Sequence, residues 1–151
     1  MALDDDIRIL SGVGLFAELT QEQLRLLAFG AETMRFAAGR EIYRENATAD
    51  CAYVIARGEV VLYRDHDGEA MLLARLGEGA ILGELALIAQ ARRLSYAAAA
   101  TDVEAIRLNR TLFRRILEEY PEVADQLRQR ISADLQDLIA KIEGLASRFA
   151  G

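Results

Sequence analysis

The stretch FAAGREIYRENATADCAYVIARGEVVLYRDHDGEAMLLARL, residues 36–76, decides the fold class. Short apolar runs recur in it between glycines and polar turns, and several of them alternate with period two. In EVVLYRD, Val60 and Leu62 fall on one face of a strand, and Val61 and Tyr63 fall on the other. The DHDG segment between two such runs is a strong hairpin signal. Many short strands at even spacing predict a barrel or a rolled sandwich.

Helical patterns flank this β-rich segment. Thr20, with Gln23 three residues later, forms a capping-box pattern that predicts a helix start. After the strands, Asn109 is a suitable N-cap for a short helix, and Pro121 suits the first turn of a longer one. The alanine run at 97–100 is too short to nucleate a helix alone, so we predict a strand there. We expect a mainly β chain: an eight-stranded, jelly-roll-like double-stranded β-helix with N-terminal helices and a long C-terminal helix.

The last helix is predicted to run from about Pro121 to Arg148, with apolar residues in steps of three and four, close to a heptad seam. These residues are Val123, Leu127, Ile131, Leu135, Leu138, Ile142, Leu145 and Phe149. One interpretation is that the stripe packs entirely on its own domain. Because the helix is long for one small barrel, we favour a seam with a second copy of the chain, and hence a homodimer. This divides the chain into a β-roll with flanking helices (1–120) and a dimerisation or lid helix (121–151).

Composition excludes several kinds of partner. The 151 residues are enough for one domain with a proper core. The formal net charge of -6 has the wrong sign for a protein that holds nucleic acid or an anionic membrane. No apolar run approaches transmembrane length, and the N-terminus, MALDDDIRIL, is acidic where a signal peptide would be basic. We expect a cytoplasmic protein that binds neither a membrane nor, by this chain alone, DNA.

The chain has one cysteine and one histidine, which limits the chemistry further. Neither an internal disulfide nor a metal site of several His or Cys residues can be assembled within one chain. His66 lies in a polar, turn-like stretch and is predicted to be an exposed loop residue, so a catalytic triad built on it is not expected. Cys51, at the start of a strand pattern, is predicted to be a small buried filler. We expect no enzyme activity and no resident cofactor or metal.

The segment GELALIAQARRLSYAAA, residues 83–99, places one Glu and two adjacent Arg among apolar residues. Burying a charge is costly unless a partner meets it, so these charges either satisfy each other or meet a ligand. Arg92 and Arg93 are neighbours in an extended stretch and should point to opposite faces. We predict that Arg93 points inward. The alternative is an ion pair between Glu84 and Arg93 that no ligand joins.

In this order, the pieces resemble the cyclic nucleotide-binding domain, a family that includes bacterial catabolite activators, regulatory subunits of cyclic-AMP-dependent kinase and cyclic-nucleotide-gated channels. The resemblance covers about residues 15–143. It rests on LFAELTQEQLRLL, FAAGREIYRENATADCAYVIARGEVVLY, LGEGAILGELALI and LNRTLFRRILEEYP. In that family the third motif is a phosphate cassette. The resemblance implies a sensor module that binds cyclic AMP or cyclic GMP and signals through its C-terminal helix to an effector protein.

The resemblance also implies roles for site residues. Arg93 follows Glu84 by nine residues, a spacing seen in the family, so its guanidinium would take the phosphate oxygens in a bidentate contact. Glu84 would accept a hydrogen bond from the ribose 2′-hydroxyl. The backbone N–H groups of Leu85 and Ala86 would face the anion, with Gly83 allowing close approach. The full expected set of ligand-binding residues is Leu73, Gly83, Glu84, Leu85, Ala86, Arg93, Leu94 and Ser95.

Two features depart from the family pattern. The residue after the phosphate arginine is usually Ala, Ser or Thr, whereas here it is Leu94, which lacks a hydroxyl and takes more room. Near Leu138 and Ile139, where catabolite activators place polar residues against the base, this chain is apolar. The sequence therefore does not indicate which base is preferred.

Three other functions remain open from the sequence. The chain could be a ligand-free structural dimerisation module. It could be a truncated sensor domain of a catabolite-activator-type transcription regulator, since it ends at Gly151 before a helix-turn-helix domain could follow. A cupin-type enzyme shares the rolled barrel, but its metal needs several histidines. We favour the sensor.

Overall fold

The computed structural model describes the backbone of residues 2–150 and the side chains of residues 3–145. Its helices are α1 (Ala2–Ser11), α2 (Gln21–Phe29), α3 (Arg110–Glu119) and α4 (Pro121–Ala150). Its strands are β1 (Glu32–Phe36), β2 (Glu41–Tyr43), β3 (Thr48–Ala49), β4 (Cys51–Arg57), β5 (Val60–His66), β6 (Glu69–Leu76), β7 (Ile81–Leu82), β8 (Ala91–Arg92), β9 (Tyr96–Ala99) and β10 (Val103–Asn109). Short 3-10 helices lie at Gly14–Phe16 and Glu84–Leu87.

The strands form two four-stranded antiparallel sheets and one short pair. The first sheet has the order β1-β10-β4-β7, the second has the order β2-β9-β5-β6, and β3 pairs with β8. The two larger sheets therefore carry the eight strands expected of the jelly-roll-like barrel, and the additional pair consists of two strands of two residues each. The predicted fold class, mainly β with flanking helices and a long C-terminal helix, is confirmed.

β5 and β6 form the hairpin predicted at DHDG. Its turn residues, Asp67 and Gly68, both have positive φ (52° and 84°), as the favoured two-residue hairpin turn requires. Val60 and Leu62 are buried, as their shared face predicts. The prediction for His66 was wrong: it is the half-buried last residue of β5, because strand pairing continues up to the tight turn.

Local signals placed the other elements correctly. Thr20 N–H donates to Gln23 Oε1 at 2.9 Å and Gln23 N–H donates to Thr20 Oγ1 at 3.2 Å, which completes the capping box of α2. Asn109 caps α3 by accepting a hydrogen bond from Leu112 N–H at 2.8 Å. The alanine run forms β9, because ladder partners on both sides, β2 and β5, override its helical propensity.

Two apolar clusters hold the fold together. The helices pack against the outer side of β4 and β10 and form the helical core, whose buried members include Leu10, Phe16, Leu27, Val54, Ile106, Phe113 and Ile131. The inside of the barrel forms the barrel core, whose buried members include Ile55, Val60, Leu73, Leu82 and Val103. In the helical core, the rings of Phe16 and Phe113 lie 6.3 Å apart between centroids.

Helix α4 begins at Pro121, as predicted, and lies along its own barrel. Its first apolar residues, Val123, Leu127 and Ile131, are buried in the helical core, and its later ones, Leu138, Ile142 and Leu145, pack against the barrel core. The helix thus runs from one cluster to the other, with its first apolar residues buried and its later ones only partly buried. The seam with a second copy of the chain stays a prediction. The side chain of Phe149 lies outside the described residues. The division of the chain at residue 120 stays a prediction.

Within residues 2–150, no helix combines the length and apolar character needed to cross a membrane.

Candidate functional site

A cavity of about 80 Å³ lies between the barrel, the 3-10 helix Glu84–Leu87 and α4. We term this 3-10 helix the cassette helix. Seven of the eight predicted site residues line the cavity: Gly83, Glu84, Leu85, Ala86, Arg93, Leu94 and Ser95. The eighth, Leu73, is not among the lining residues and is buried in the barrel core. It lies on β6, at the opposite edge of its sheet from β2, which carries the lining residue Tyr43.

The backbone after β8 directs Arg93 into the barrel. Arg93 N–H donates to the Ala47 carbonyl oxygen at 2.8 Å, and Asn46 N–H donates to the Arg93 carbonyl oxygen at 2.7 Å. The preceding residue, Arg92, is exposed and donates from Nη1 to the Asn46 carbonyl oxygen at 2.9 Å. The side chain of Arg93 is only 7% exposed. The two arginines therefore point to opposite faces, as the extended backbone predicts, and Arg93 is the inward one.

The Arg93 guanidinium is held by an aromatic ring and a sulfur atom. Its central carbon lies 4.3 Å from the centroid of the Tyr43 ring and 6.0 Å from that of Tyr53, within cation–π distance. Its Nη2 donates to Cys51 Sγ at 3.4 Å. Among the described residues, no carboxylate forms a salt bridge with Arg93, so the expected alternative of a Glu84–Arg93 ion pair is not formed.

Gly83 makes this position of the guanidinium possible. Its φ of 69° lies in the left-handed region, which lets the chain turn sharply from β7 into the cassette helix. A Cβ at this position would also collide with Arg93 Nη1. The N–H of Ala86 donates to the Gly83 carbonyl oxygen at 3.1 Å, so it takes part in the 3-10 turn, which differs from the expectation that it faces an anion.

Glu84 lines the cavity without forming a salt bridge to Arg93, and the charge that acts on it most is Asp134 of α4. Burial and, next, the negative charge of Asp134 on α4 raise the pKa of Glu84 from its ordinary value of 4.5 to about 7. Burial also raises the pKa of Asp134, against the opposing effect of Arg130. Burial is therefore the main reason that Glu84 favours its protonated form, and the nearby negative charge of Asp134 adds to it.

Tyr43 is a cavity residue that the sequence analysis missed. Burial raises the pKa of its hydroxyl to about 12, while the nearby Arg93 charge and a hydrogen bond with Ser95 act in the opposite direction and the nearby charge of Glu84 adds to the rise. Tyr43 therefore lies among three of the predicted site residues. Nothing in EIYREN distinguishes this tyrosine from a barrel-core residue, so only the rolled topology identifies it.

Cys51 is buried, as predicted, but it is more than a filler, because its sulfur accepts the hydrogen bond from Arg93. Cys51 and Arg93 are 42 residues apart in the sequence, so no local motif links them.

Helix α4 closes the cavity with apolar side chains. Ile131, Leu135 and Leu138 line it, whereas Ile139 points away and is 38% exposed. Of the two predicted base-facing positions, only Leu138 therefore reaches the cavity. Leu94 lines the wall beside Arg93, so the residue that departs from the family pattern lies within the site. Among the described residues, no group of three or more His, Cys, Asp or Glu side chains is placed to hold a metal ion.

Residues 33–120 match the family model of the cyclic nucleotide-binding domain, which is more than half of the chain. The chain belongs to this family. The match includes the cassette helix, Arg93 and α3, and therefore most of the residues that line the cavity. Members of the family are generally regulatory domains. This chain is accordingly a cyclic nucleotide-binding domain.

Several proteins share this domain. A cyclic nucleotide-binding-like protein from Brucella abortus is 56% identical, covers 76% of this chain and 99% of its own, and has a TM-score of 0.69. The regulatory domain of Toxoplasma gondii PKA, solved with cAMP, is 26% identical, covers 76% of this chain and 44% of its own, and has a TM-score of 0.71. The cyclic AMP receptor protein of Thermus thermophilus is 29% identical over 93% of this chain and 68% of its own length.

The chain also matches fungal lysophospholipases, of which it spans only 7% and 8% of the length. What those long proteins do as a whole therefore does not transfer to this domain.

Proposed function

We propose that this domain is a sensor that binds cyclic AMP or cyclic GMP beside Arg93 and signals through α4. In this proposal the Arg93 guanidinium takes the cyclic phosphate and Glu84 accepts a hydrogen bond from the ribose 2′-hydroxyl. Leu94 and Ser95 contact the ligand from the loop after β8. The names of two relatives support a cyclic nucleotide, since one is a cyclic AMP receptor and the other was solved with cAMP.

One observation carries the proposal: a buried guanidinium lines a cavity, and no carboxylate of residues 3–145 forms a salt bridge with it. An ionised group inside a protein is normally paired, because removing it from water costs several kcal/mol. A singly charged cyclic phosphate would supply the missing anion, and the planar guanidinium suits two phosphate oxygens at once.

The size of the cavity makes α4 part of the switch. Small-molecule pockets usually measure roughly 300 Å³ or more, whereas the volume here is about 80 Å³. A nucleotide can enter only if the apolar side chains of Ile131, Leu135 and Leu138 move outward with α4. The ligand therefore binds the open arrangement better than the closed one, and this difference in affinity shifts the helix.

Isothermal titration calorimetry with cyclic AMP and cyclic GMP tests the proposal. Wild-type protein should bind at least one of them with a Kd below about 1 mM. Arg93→Ala should weaken binding about 100-fold or more, since it removes a buried, charge-assisted contact. The matched control is Arg92→Ala, which removes the exposed neighbouring guanidinium and should change the Kd less than about threefold.

If neither nucleotide binds the wild-type domain, or if Arg92→Ala and Arg93→Ala have equal effects, the sensor proposal fails. The second candidate is then a ligand-free structural module. The cavity, which Leu94 and Leu138 help to line, favours this alternative, because its volume of about 80 Å³ is below that of an ordinary ligand pocket.

A homodimer through α4 and an unidentified effector protein remain part of the proposal. The exposed face of α4 includes Ile139, which offers a limited apolar surface for a second copy. Light scattering on the calorimetry samples, with and without nucleotide, tests the assembly. A monomeric mass at about 0.1 mM protein, well above the Kd of a stable dimer, would contradict the homodimer.

A truncated regulator of the catabolite-activator type is a further proposal. The match to the Thermus receptor covers 68% of that protein, so this domain corresponds to the larger part of such a regulator. A mobility-shift assay with the full gene product tests DNA binding.

A further inference from the structure

We propose that Tyr43 and Cys51 are positioning residues that hold the Arg93 guanidinium ready for an anion, a role that rests on the proposed function of the cavity. Neither residue belongs to the segment of residues 83–99, which carries the cassette helix and Arg93. One comes from the end of β2 and the other from the start of β4. The barrel brings them together on either side of one guanidinium.

The contacts define a specific cradle. The guanidinium carbon lies 4.3 Å from the Tyr43 ring centroid, and Nη2 lies 3.4 Å from Cys51 Sγ. On the remaining side, Gly83 leaves room for Nη1 that any larger residue would occupy. The backbone hydrogen bonds that join Arg93 to residues 46 and 47 fix the base of the side chain. Both ends of a long, flexible side chain are therefore restrained before a ligand arrives.

The residues that contact the Arg93 guanidinium do not neutralise its positive charge. A carboxylate would hold the guanidinium more strongly, but it would neutralise the charge and compete with a phosphate for the same N–H groups. An aromatic face attracts the cation without accepting its in-plane hydrogen bonds. Burial raises the pKa of Tyr43 to about 12, so its ring carries a neutral phenol at physiological pH. The cradle therefore orients Arg93 while Cys51 accepts only one of the five guanidinium N–H groups, from Nη2, and Tyr43 accepts none of them in its plane.

The first test measures nucleotide affinity by calorimetry, with the cyclic nucleotide that binds wild-type protein more tightly. Tyr43→Leu should weaken binding about tenfold, because it removes the ring beneath the cation. Tyr43→Phe keeps the ring and should stay within about threefold of wild type. The matched control is Tyr63→Leu, which removes a ring that stacks on Tyr96 at 5.0 Å, whereas the rings near Arg93 are those of Tyr43 and Tyr53. The Kd of this control should equal that of wild type. A Tyr43→Phe variant as weak as Tyr43→Leu overturns the role of the ring.

Cys51 is tested by two substitutions of nearly equal size. Cys51→Ser keeps an acceptor for Arg93 Nη2, whereas Cys51→Ala removes it. We expect Cys51→Ala to bind the nucleotide about threefold to tenfold more weakly and Cys51→Ser to bind within about twofold of wild type. Equal affinity of the two variants overturns the role of the sulfur. This pair also carries the test if Tyr43→Leu does not fold.

The second test needs no ligand. A double-mutant cycle of Tyr43→Leu with Arg93→Met, followed by urea unfolding, measures the coupling of ring and cation. The double variant should be less destabilised than the sum of the single effects, by about a tenfold factor in the unfolding equilibrium constant. A control cycle of Tyr63→Leu with Arg93→Met should be additive. Additivity in both cycles overturns this inference whatever the calorimetry shows. Coupling without any nucleotide binding overturns the proposed function and leaves the positioning of Arg93 standing.

Discussion

The helical core and the cavity beside Arg93 are built from the same kinds of aliphatic residue, but they differ in how many polar side chains they bury. The helical core packs Phe16 against Phe113 and contains apolar side chains almost throughout. Of the buried polar side chains in the described residues, Arg93 and Ser95 line the cavity, and Gln23 completes a helix cap.

This difference indicates what each region does. A close-packed apolar cluster contributes most of the stability of a small domain, because each buried aliphatic or aromatic side chain contributes about 1.5–3 kcal/mol. A buried guanidinium costs free energy unless a partner meets it, and such groups cluster at binding sites. Mutations in the helical core should therefore lower the free energy of unfolding. Mutations in the cavity should change the pH dependence of that free energy and the affinity for a ligand.

The largest effect is expected in the helical core. Phe113→Ala removes a fully buried ring and should lower the free energy of unfolding by about 3–5 kcal/mol. Urea unfolding measures the change. The matched control is Phe29→Ala, whose ring is 81% exposed and should contribute almost nothing. Similar losses for the two variants would show that the helical core is not the stabilising region.

The second effect is expected at the cavity and depends on pH. Because the folded pKa of Glu84, about 7, lies above the ordinary value of 4.5, the folded state binds a proton more tightly than the unfolded state. Its contribution to stability is thus complete below about pH 4.5 and is lost as pH rises through 7. Relative to Glu84→Gln, wild type should lose about 3 kcal/mol between pH 4.5 and 7.5.

Urea unfolding of both proteins across this pH range checks the prediction. Glu69→Gln, at an exposed position at the start of β6, is the matched control and should run parallel to wild type. Asp134→Asn should reduce the slope, because it removes the second carboxyl group. A pH-independent difference between wild type and Glu84→Gln would contradict the assignment.

The third and smallest effect is expected where the two regions join. Arg110, the first residue of α3, donates from Nε to the Ala86 carbonyl oxygen at 2.8 Å and from Nη2 to the Ala49 carbonyl oxygen at 2.5 Å. Arg110→Ala leaves both carbonyls without this donor and should cost about 2 kcal/mol. It should also speed amide hydrogen exchange in the cassette helix. Arg114→Ala, one turn later and exposed, is the control; equal exchange in both variants would contradict the link.

Much of the fold could be predicted from local signals. The capping box at Thr20 and Gln23, the cap at Asn109 and the Asp67–Gly68 turn each use residues within three positions of one another. Such features depend on backbone geometry that neighbouring residues set by themselves. The opposite directions of Arg92 and Arg93 were predictable for the same reason, since side chains alternate along an extended backbone. Alternation alone does not say which of the two points inward.

The rest depends on contacts between distant segments. The stripe on α4 has nearly the same spacing whether it faces a second helix or its own barrel, so periodicity alone did not reveal the contacts that α4 makes with its own barrel. Glu84 and Arg93 are close in sequence, yet Glu84 lies near Asp134 of α4 and Arg93 lies against Tyr43. Leu73 was assigned to the site without any argument about its position in the barrel. The structure buries it in the barrel core, and it is not among the residues that line the cavity.

The sequence by itself determined the strand-rich centre, the helix boundaries and the segment that carries the buried charge, because short-range hydrogen bonds and side-chain periodicity are encoded within a few residues. Only the tertiary structure decided what meets that charge. The roll closes β2, β4 and the loop after β8 around one guanidinium and lays α4 over them. Contacts that join residues 42 or 50 positions apart leave no local pattern in a single chain.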